Sequence, residues 1–208
     1  MNKKILVFSL VILLFSTFMA AEQDIVITVS GTYYNAADSD FKDQFGKSKY
    51  FPEGKLALRL KGNLYIWGSA GFFSTSNSWE EWSNKGVIEA DVEGKRVLDK
   101  FILCGGLGYY VGFLRKSDFS VRLELGACNI TNSIETTKDN MVSGEHVSTE
   151  NDKEKGLGIR GNLGVTYGLN KNFFGEASIG YMYAPDKIND SWINLGGFRL
   201  SLGLGLVF

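Results

Sequence analysis

The segment Trp192-Ile193-Asn194-Leu195-Gly196-Gly197-Phe198-Arg199-Leu200-Ser201-Leu202-Gly203-Leu204-Gly205-Leu206-Val207-Phe208 decides the fold. Read at every second residue, Trp192, Asn194, Gly196, Phe198, Leu200, Leu202, Leu204, Leu206 and Phe208 form one face, mostly large and apolar. The other face, Ile193, Leu195, Gly197, Arg199, Ser201, Gly203, Gly205 and Val207, is mostly small and carries a single charge. Successive side chains of a strand point to opposite sides, so a period of two over this length predicts a strand between two unlike environments.

The same alternation recurs upstream. Phe119, Val121, Leu123 and Leu125 oppose Ser120, Arg122, Glu124 and Gly126, and Leu157, Ile159, Leu163, Val165 and Tyr167 oppose Gly158, Arg160, Asn162, Gly164 and Thr166. Ala177, Ile179, Tyr181 and Tyr183 oppose Glu176, Ser178, Gly180 and Met182. In all, eight segments read as strands: 24 to 34, 54 to 61, 64 to 76, 96 to 113, 119 to 128, 156 to 167, 173 to 183 and 192 to 208. The third is apolar on both faces, and its orientation stays open. No segment sustains a helical period, and 25 Gly against 2 Pro suits many strands.

Connection lengths set the topology. Lys61-Gly62-Asn63, Leu114 to Asp118 and Gly168 to Asn172 are short and rich in turn formers. Between them lie longer excursions, Asn35 to Glu53, Asn77 to Lys95 and Asn129 to Lys155, and a shorter one from Ala184 to Ser191. Short and long connections alternate, which in an up-and-down barrel puts the short turns at one end and the long loops at the other. The expected fold is all-β, an eight-stranded antiparallel up-and-down transmembrane barrel. A soluble barrel would turn its apolar face inward and a membrane barrel outward. The polar face is poor in charge and rich in Gly, as a crowded lumen would be. Aromatic residues gather near strand ends at Tyr33, Phe113, Phe119, Tyr167, Phe173, Tyr181, Tyr183 and Trp192, as at membrane interfaces. About ten residues per strand, at roughly 3.3 Å each and tilted about 40°, span about 25 Å, the height of an outer-membrane apolar band.

Lys3 and Lys4 precede an uncharged run, Ile5 to Ala21, closed by Met19-Ala20-Ala21, which reads as a cleaved secretory signal peptide over 1-21. The barrel domain is then 22-208. With 22 Lys+Arg against 23 Asp+Glu and no basic run, nucleic acid is not an expected partner. One His and two Cys leave little for a zinc site, and no cofactor is expected.

The ending Leu200-Ser201-Leu202-Gly203-Leu204-Gly205-Leu206-Val207-Phe208 resembles the C-terminal signature of outer-membrane barrels, whose members end in an aromatic residue after alternating apolar ones. With the leader and eight strands, the mature chain resembles the small barrels that include OmpX, the OmpA transmembrane domain and the opacity-type proteins. The resemblance implies insertion by the barrel-assembly machinery through Leu200, Leu202, Leu204, Leu206 and Phe208, and a bacterial outer-membrane location with periplasmic termini. With the chain ending at Phe208, no OmpA-like periplasmic domain is expected.

On this register the lumen receives Arg59, Arg122, Glu124, Arg160, Glu176 and Arg199, expected to pair into a charge network that fills an interior only wide enough for side chains. These carboxylates are too few, so a further partner such as Asp24, Tyr110 or water is expected. If Phe113 pairs with Phe119 across the turn, the register sets Cys104 opposite Cys128 on the lumen side, as a possible disulfide in an oxidising compartment. The alternative is two small buried residues.

His146-Val147-Ser148 is a His-x-Ser coincidence of the kind lipid A deacylases use, but it falls in a polar excursion with no strand pattern, where a solvated loop is the plainer reading. The excursions are acidic, with Glu80, Glu81, Glu89, Asp91 and Glu93 beside Trp79 and Trp82, and Glu135, Asp139, Glu145, Glu150, Asp152 and Glu154 in the next. They suit cation bridging to lipopolysaccharide or contact with an extracellular ligand; solvation alone is the simpler account. Asp38-Ser39-Asp40 is too short to imply calcium.

The expected function is non-enzymatic: envelope structure with surface interaction through the loops, by a monomer embedded in outer-membrane lipid and lipopolysaccharide. The first alternative is an OmpW-like conduit for small hydrophobic molecules or ions, suggested by Ile102, Phe174, Met182, Ile193 and Leu195 on the inner face. A lipid A-modifying enzyme and a soluble ligand-binding barrel are the others.

Overall fold

The computed structural model describes residues 24–39, 42, 48–81, 92–111, 119–140, 146–188 and 191–208. The leader, Phe113, Asp40 and Trp82 lie outside them. Ten strands run in chain order: β1 Ile25–Ala36, β2 Ser48–Lys61, β3 Leu64–Glu81, β4 Val92–Val111, β5 Phe119–Asn140, β6 His146–Gly168, β7 Phe173–Tyr183, β8 Pro185–Ile188, β9 Ser191–Asn194 and β10 Gly197–Val207. Eight of them, β1 to β7 and β10, close an antiparallel barrel in sequence order, while β8 and β9 form a separate hairpin. Closure is made by β1 on β10, with Val29 opposite Leu204 and Tyr34 opposite Arg199, and by the Phe208 amide donating to the Ile25 carbonyl at 2.9 Å. Both described ends of the chain therefore lie at one end of the barrel, with the short turns.

The turns there follow from local chemistry. Gly62 adopts φ 61°, a left-handed conformation that a side chain would strain, and links β2 to β3. Between β6 and β7 the Asn170 side-chain oxygen accepts from the amides of Asn172 and Phe173 at 2.9 and 2.8 Å, a side-chain mimic of a backbone turn.

The large apolar residues face out. Leu125, Leu157, Leu202 and Leu204 are 64 to 74% exposed, while Thr32, Arg122 and Arg199 on the opposite faces are at most 1% exposed. The barrel is thus not the inward-apolar form a soluble ligand carrier would need. Outward aromatics ring both edges of the apolar belt: Tyr50, Phe72, Phe101, Tyr183 and Phe198 towards the hairpin end, Tyr109, Phe119, Tyr167, Phe173 and Phe208 towards the turn end. Trp192 lies in β9, outside the barrel wall. In β3, whose orientation the sequence left open, Tyr65, Trp67, Ser69, Phe73 and Thr75 point inward and Leu64 and Phe72 outward.

Three boundaries differ from the sequence reading. First, β2 begins at Ser48, not at 54, because Pro52 and Gly54 interrupt the apolar pattern without interrupting the pairing, in which they oppose Gly31 and Val29. Second, the expected loops Asn77 to Lys95 and Asn129 to Lys155 are largely strand. Pairing between β3 and β4 continues to Glu81 with Val92, between β4 and β5 to Val92 with Asn140, and between β5 and β6 to Asp139 with His146. Above the apolar belt both faces are polar, so alternation fades although the backbone ladder does not. Third, the last strand breaks at Leu195-Gly196, where three consecutive residues, Leu195, Gly196 and Gly197, are buried. Ser191–Asn194 instead pairs with Pro185–Ile188. The result is a barrel with one tall side, a four-stranded sheet of β3 to β6 standing above the ring of aromatics.

Candidate functional site: the charged lumen

Strand alternation delivers the lumen side chains in layers. Facing the turn end are Val26, Ala57, Phe174 and Val207, with Ser120 and Thr166 hydroxyls 2.5 Å apart. Above them sit Lys55 from β2, Arg122 and Glu124 from β5 and Glu176 from β7. The Lys55 ammonium lies 3.2 Å from both Glu124 and Glu176, and Arg122 grips Glu176 with two guanidinium nitrogens. Tyr65 donates to Glu124 at 3.0 Å, and its ring packs on Tyr110 at 4.6 Å between centroids. Gly164 and Gly180 make this crowding possible. A Cβ on Gly164 would meet the Arg122 guanidinium, and one on Gly180 would run into the Asn162 side chain.

A second ionic layer follows. Arg160 Nη1 lies 2.5 Å from Glu53 Oε1, and Arg199 Nη2 lies 2.5 Å from Glu53 Oε2. Thr32 donates to the same carboxylate at 3.2 Å, and Ser69 accepts from Arg160 at 3.2 Å. Asn162 joins the layers, accepting from Arg160 at 3.0 Å and donating to Glu124 at 2.9 Å. Trp67 and Phe51 lie under the Arg160 and Arg199 guanidinium groups at 5.5 and 5.3 Å, favourable cation–π placements.

The layer nearest the hairpin end is mostly apolar: Phe73, Leu98, Ile102, Ile130, Met182 and Leu195. Within it Tyr34 donates to the carbonyls of Leu195 and Gly196 at 2.9 and 2.8 Å, and Lys100 donates to the Leu195 carbonyl at 2.7 Å and to the Tyr34 hydroxyl at 3.1 Å. The interruption between β9 and β10 therefore supplies carbonyls that hold two lumen side chains.

Five of the six charges assigned to the lumen from sequence, Arg122, Glu124, Arg160, Glu176 and Arg199, are buried there. Arg59 is not among them: it sits half-buried at the turn-end mouth, 2.9 Å from Asp24 and donating to the Gly62 carbonyl, because β2 ends there. Sequence reading missed Glu53 and Lys55, hidden in and beside a supposed loop. It also missed Lys100, which shares the even-numbered face of Ile102 and Cys104 and was legible on that ground. Of the further partners expected, Asp24 meets Arg59 and Tyr110 packs on Tyr65 beside Arg122, while the carboxylate that serves Arg160 and Arg199 is Glu53, which was not among them.

Cys104 and Cys128 oppose one another on β4 and β5 and are joined by a disulfide, with Cα atoms 4.1 Å apart, on the lumen side. His146 and Ser148 lie in β6, not in a loop, paired with Asp139 and Lys138 at the far tip of the tall sheet. Phe174 lies at the turn end, away from the apolar layer that holds Ile102, Met182 and Leu195. Among the described residues no group of three His, Cys, Asp or Glu side chains is placed to hold a metal ion.

This architecture is found in solved structures at low sequence identity. OprG of Pseudomonas aeruginosa, an outer membrane protein, superposes with a TM-score of 0.54 at 15% identity, over 89% of this chain and 95% of that one. A major outer membrane protein from Thermus thermophilus gives 0.54 at 10% identity, over 90% and 100%. Ail, the attachment invasion locus protein of Yersinia pestis, gives 0.47 at 16%, over 89% and 97%. No protein-family model matches the chain, and no curated protein matches it either. The fold is that of the small eight-stranded outer-membrane barrels.

Proposed function

We propose that the protein is a non-enzymatic barrel of the bacterial outer membrane, closed to diffusion by its ion-pair core, that acts through the sheet it raises above the membrane. The outward apolar belt around a buried charge network carries this reading. Water would expose the belt at high cost, and lipid covers it. The termini and short turns face the periplasm, the tall sheet faces out, and Leu200, Leu202, Leu204, Leu206 and Phe208 present the assembly signature to the insertion machinery. Lipid and lipopolysaccharide surround a monomer.

The tall sheet has two unlike edges. Among the described residues, β3 pairs with β2 only as far as Gly71, and β6 pairs with β7 only as far as Ile159. The β6 edge carries Glu150, Asp152, Lys153 and Lys155, charges of the kind that discourage strand addition. The β3 edge is uncharged over Ser74-Thr75-Ser76-Asn77-Ser78, with Glu80 and Glu81 only at its tip, and that stretch suits an extended segment of an extracellular partner.

The test has two parts. Membrane fractionation with heat-modifiable gel mobility should recover the wild type in the outer membrane with a faster unheated band, lost on deletion of Phe208. Cells displaying Ser76→Lys with Ser78→Lys should lose surface binding while keeping that band. A soluble protein would sink the first half, and unchanged binding the second. The second reading, a conduit for hydrophobic molecules, draws on the apolar upper layer of Phe73, Leu98, Ile102, Ile130, Met182 and Leu195. It requires planar-bilayer conductance or uptake through the ionic layers, which the first reading forbids.

A further inference from the structure

One outward position of β6 lacks a side chain. Between Leu157 and Val165 the outward residues are branched and apolar except Gly161. Gly161 lies between Leu125 of β5 and Tyr181 of β7, and nothing stands within 4 Å of where its Cβ would be. The gap is the floor of an open groove of about 650 Å3, walled by Leu123, Leu125, Leu163, Ile179, Tyr181 and Phe198. That volume falls in the range of pockets that hold a whole small ligand. An apolar hollow does not hold water, and left empty it forfeits dispersion contacts, so in a membrane a hydrocarbon chain fills it.

Two cations stand above the groove on the same strand. Beyond Leu157, towards the tall sheet, the next outward positions of β6 are Lys155 and Lys153; both are exposed, and among the described residues neither ammonium meets a carboxylate. Thr131 and Ser133 of β5 lie opposite them. The acids nearest on that face are Glu135, diagonal to Lys153, and Asp99, across Ser133 from it, so Lys155 presents the less opposed charge. From Lys155 to Gly161 is six residues, about 20 Å of strand at roughly 3.3 Å each and about 15 Å of depth at a tilt of about 40°. Half of a hydrocarbon core about 30 Å thick is the same depth. An acyl chain whose head group rests on Lys155 therefore ends at the groove.

We propose that the outer wall of β5 and β6 is a binding site for one molecule of lipopolysaccharide, with its lipid A phosphates on Lys155 and Lys153 and its chain ends in the groove over Gly161. Ammonium groups beside hydroxyls suit phosphate oxygens, and cations at a membrane surface draw anionic head groups. The outer leaflet is the source, because the sheet that carries both lysines faces out, and the inference rests on that reading. Held there, the lipid anchors the foot of the tall sheet in the leaflet from which it rises.

Two measurements separate the site from the orientation. Asn151→Cys on intact cells, treated with a membrane-impermeant maleimide, reports orientation alone, Cys104 and Cys128 being joined to each other. Labelling shows that the tall sheet faces out, and no labelling sinks that reading whatever the lipid does. The site is tested on the mature chain refolded in detergent, each variant showing the faster unheated band, titrated with lipid A and counted by native mass spectrometry. The wild type should bind one lipid A, as should Lys171→Gln and Gly175→Leu, which change a charge and an open glycine at the turn end. Lys153→Gln with Lys155→Gln should bind about thirtyfold more weakly, on the order of fivefold per lysine. Gly161→Leu, which fills the groove at unchanged charge, should not hold lipid A at concentrations that saturate the wild type. Undiminished binding in either altered site, or equal affinity of the wild type for phosphatidylglycerol, overturns the proposal.

Discussion

The lower barrel and the sheet above it are built from the same antiparallel ladder, yet polar side chains do opposite work in them. In the lumen Arg122, Glu124, Glu53 and Arg160 are at most 5% exposed and each is fixed by two or more partners, so each depends on its neighbours. In the tall sheet Glu150, Asn151, Asp152 and Lys153 on β6 are exposed on both faces, and a side chain there answers to solvent. Low dielectric and missing water make a buried charge expensive to leave alone, whereas an exposed one is screened. The interior is therefore specified side chain by side chain, and the sheet chiefly by its backbone ladder.

That contrast can be broken by measurement. The largest effect is expected at Glu53→Gln, which strips the charge from the carboxylate that Arg160 and Arg199 share; removing one partner of a buried pair costs about 3–5 kcal/mol, read as a fall in unfolding free energy in urea. Glu176→Gln should cost less, because Arg122 keeps Glu124 within 3.4 Å. Serine at both Cys104 and Cys128 opens a closure spanning 24 residues and should cost about 2–4 kcal/mol, matched by chemical reduction of the wild type. Gly180→Val drives a side chain into Asn162 and should cost about 1–3 kcal/mol by the same assay. Asn151→Ala, exposed on the tall sheet, should stay within about 0.5 kcal/mol. If it costs as much as Glu53→Gln, the division between a specified interior and a tolerant sheet is wrong.

Where the two faces of a strand meet different media, the sequence was readable. The β10 pattern, Leu200, Leu202 and Leu204 against Arg199, Ser201 and Gly203, gave the faces the structure shows, and the register through Val111 and Val121 leads to Cys104 opposite Cys128. Where both faces meet water, as in β5 beyond Asn132 and along β6 from His146, the alternation vanished and strands passed for loops. Glu53 was lost to a different cause, the Pro52 and Gly54 on either side of it, which read as a turn but sit in the ladder.

By itself, then, the chain determined a closed barrel of eight strands, its lipid-like outer face and most of its lumen charges, because periodic burial leaves a periodic composition. Only the tertiary structure decided which charges meet. It placed Glu53 between two arginines, sent Arg59 to the mouth with Asp24 and set Lys100 against Tyr34 and the Leu195 carbonyl. Such pairings join residues far apart in the chain, here 107 positions for Glu53 and Arg160 and 146 for Glu53 and Arg199. They are fixed by the stagger of strands around the closed barrel, which no local pattern records.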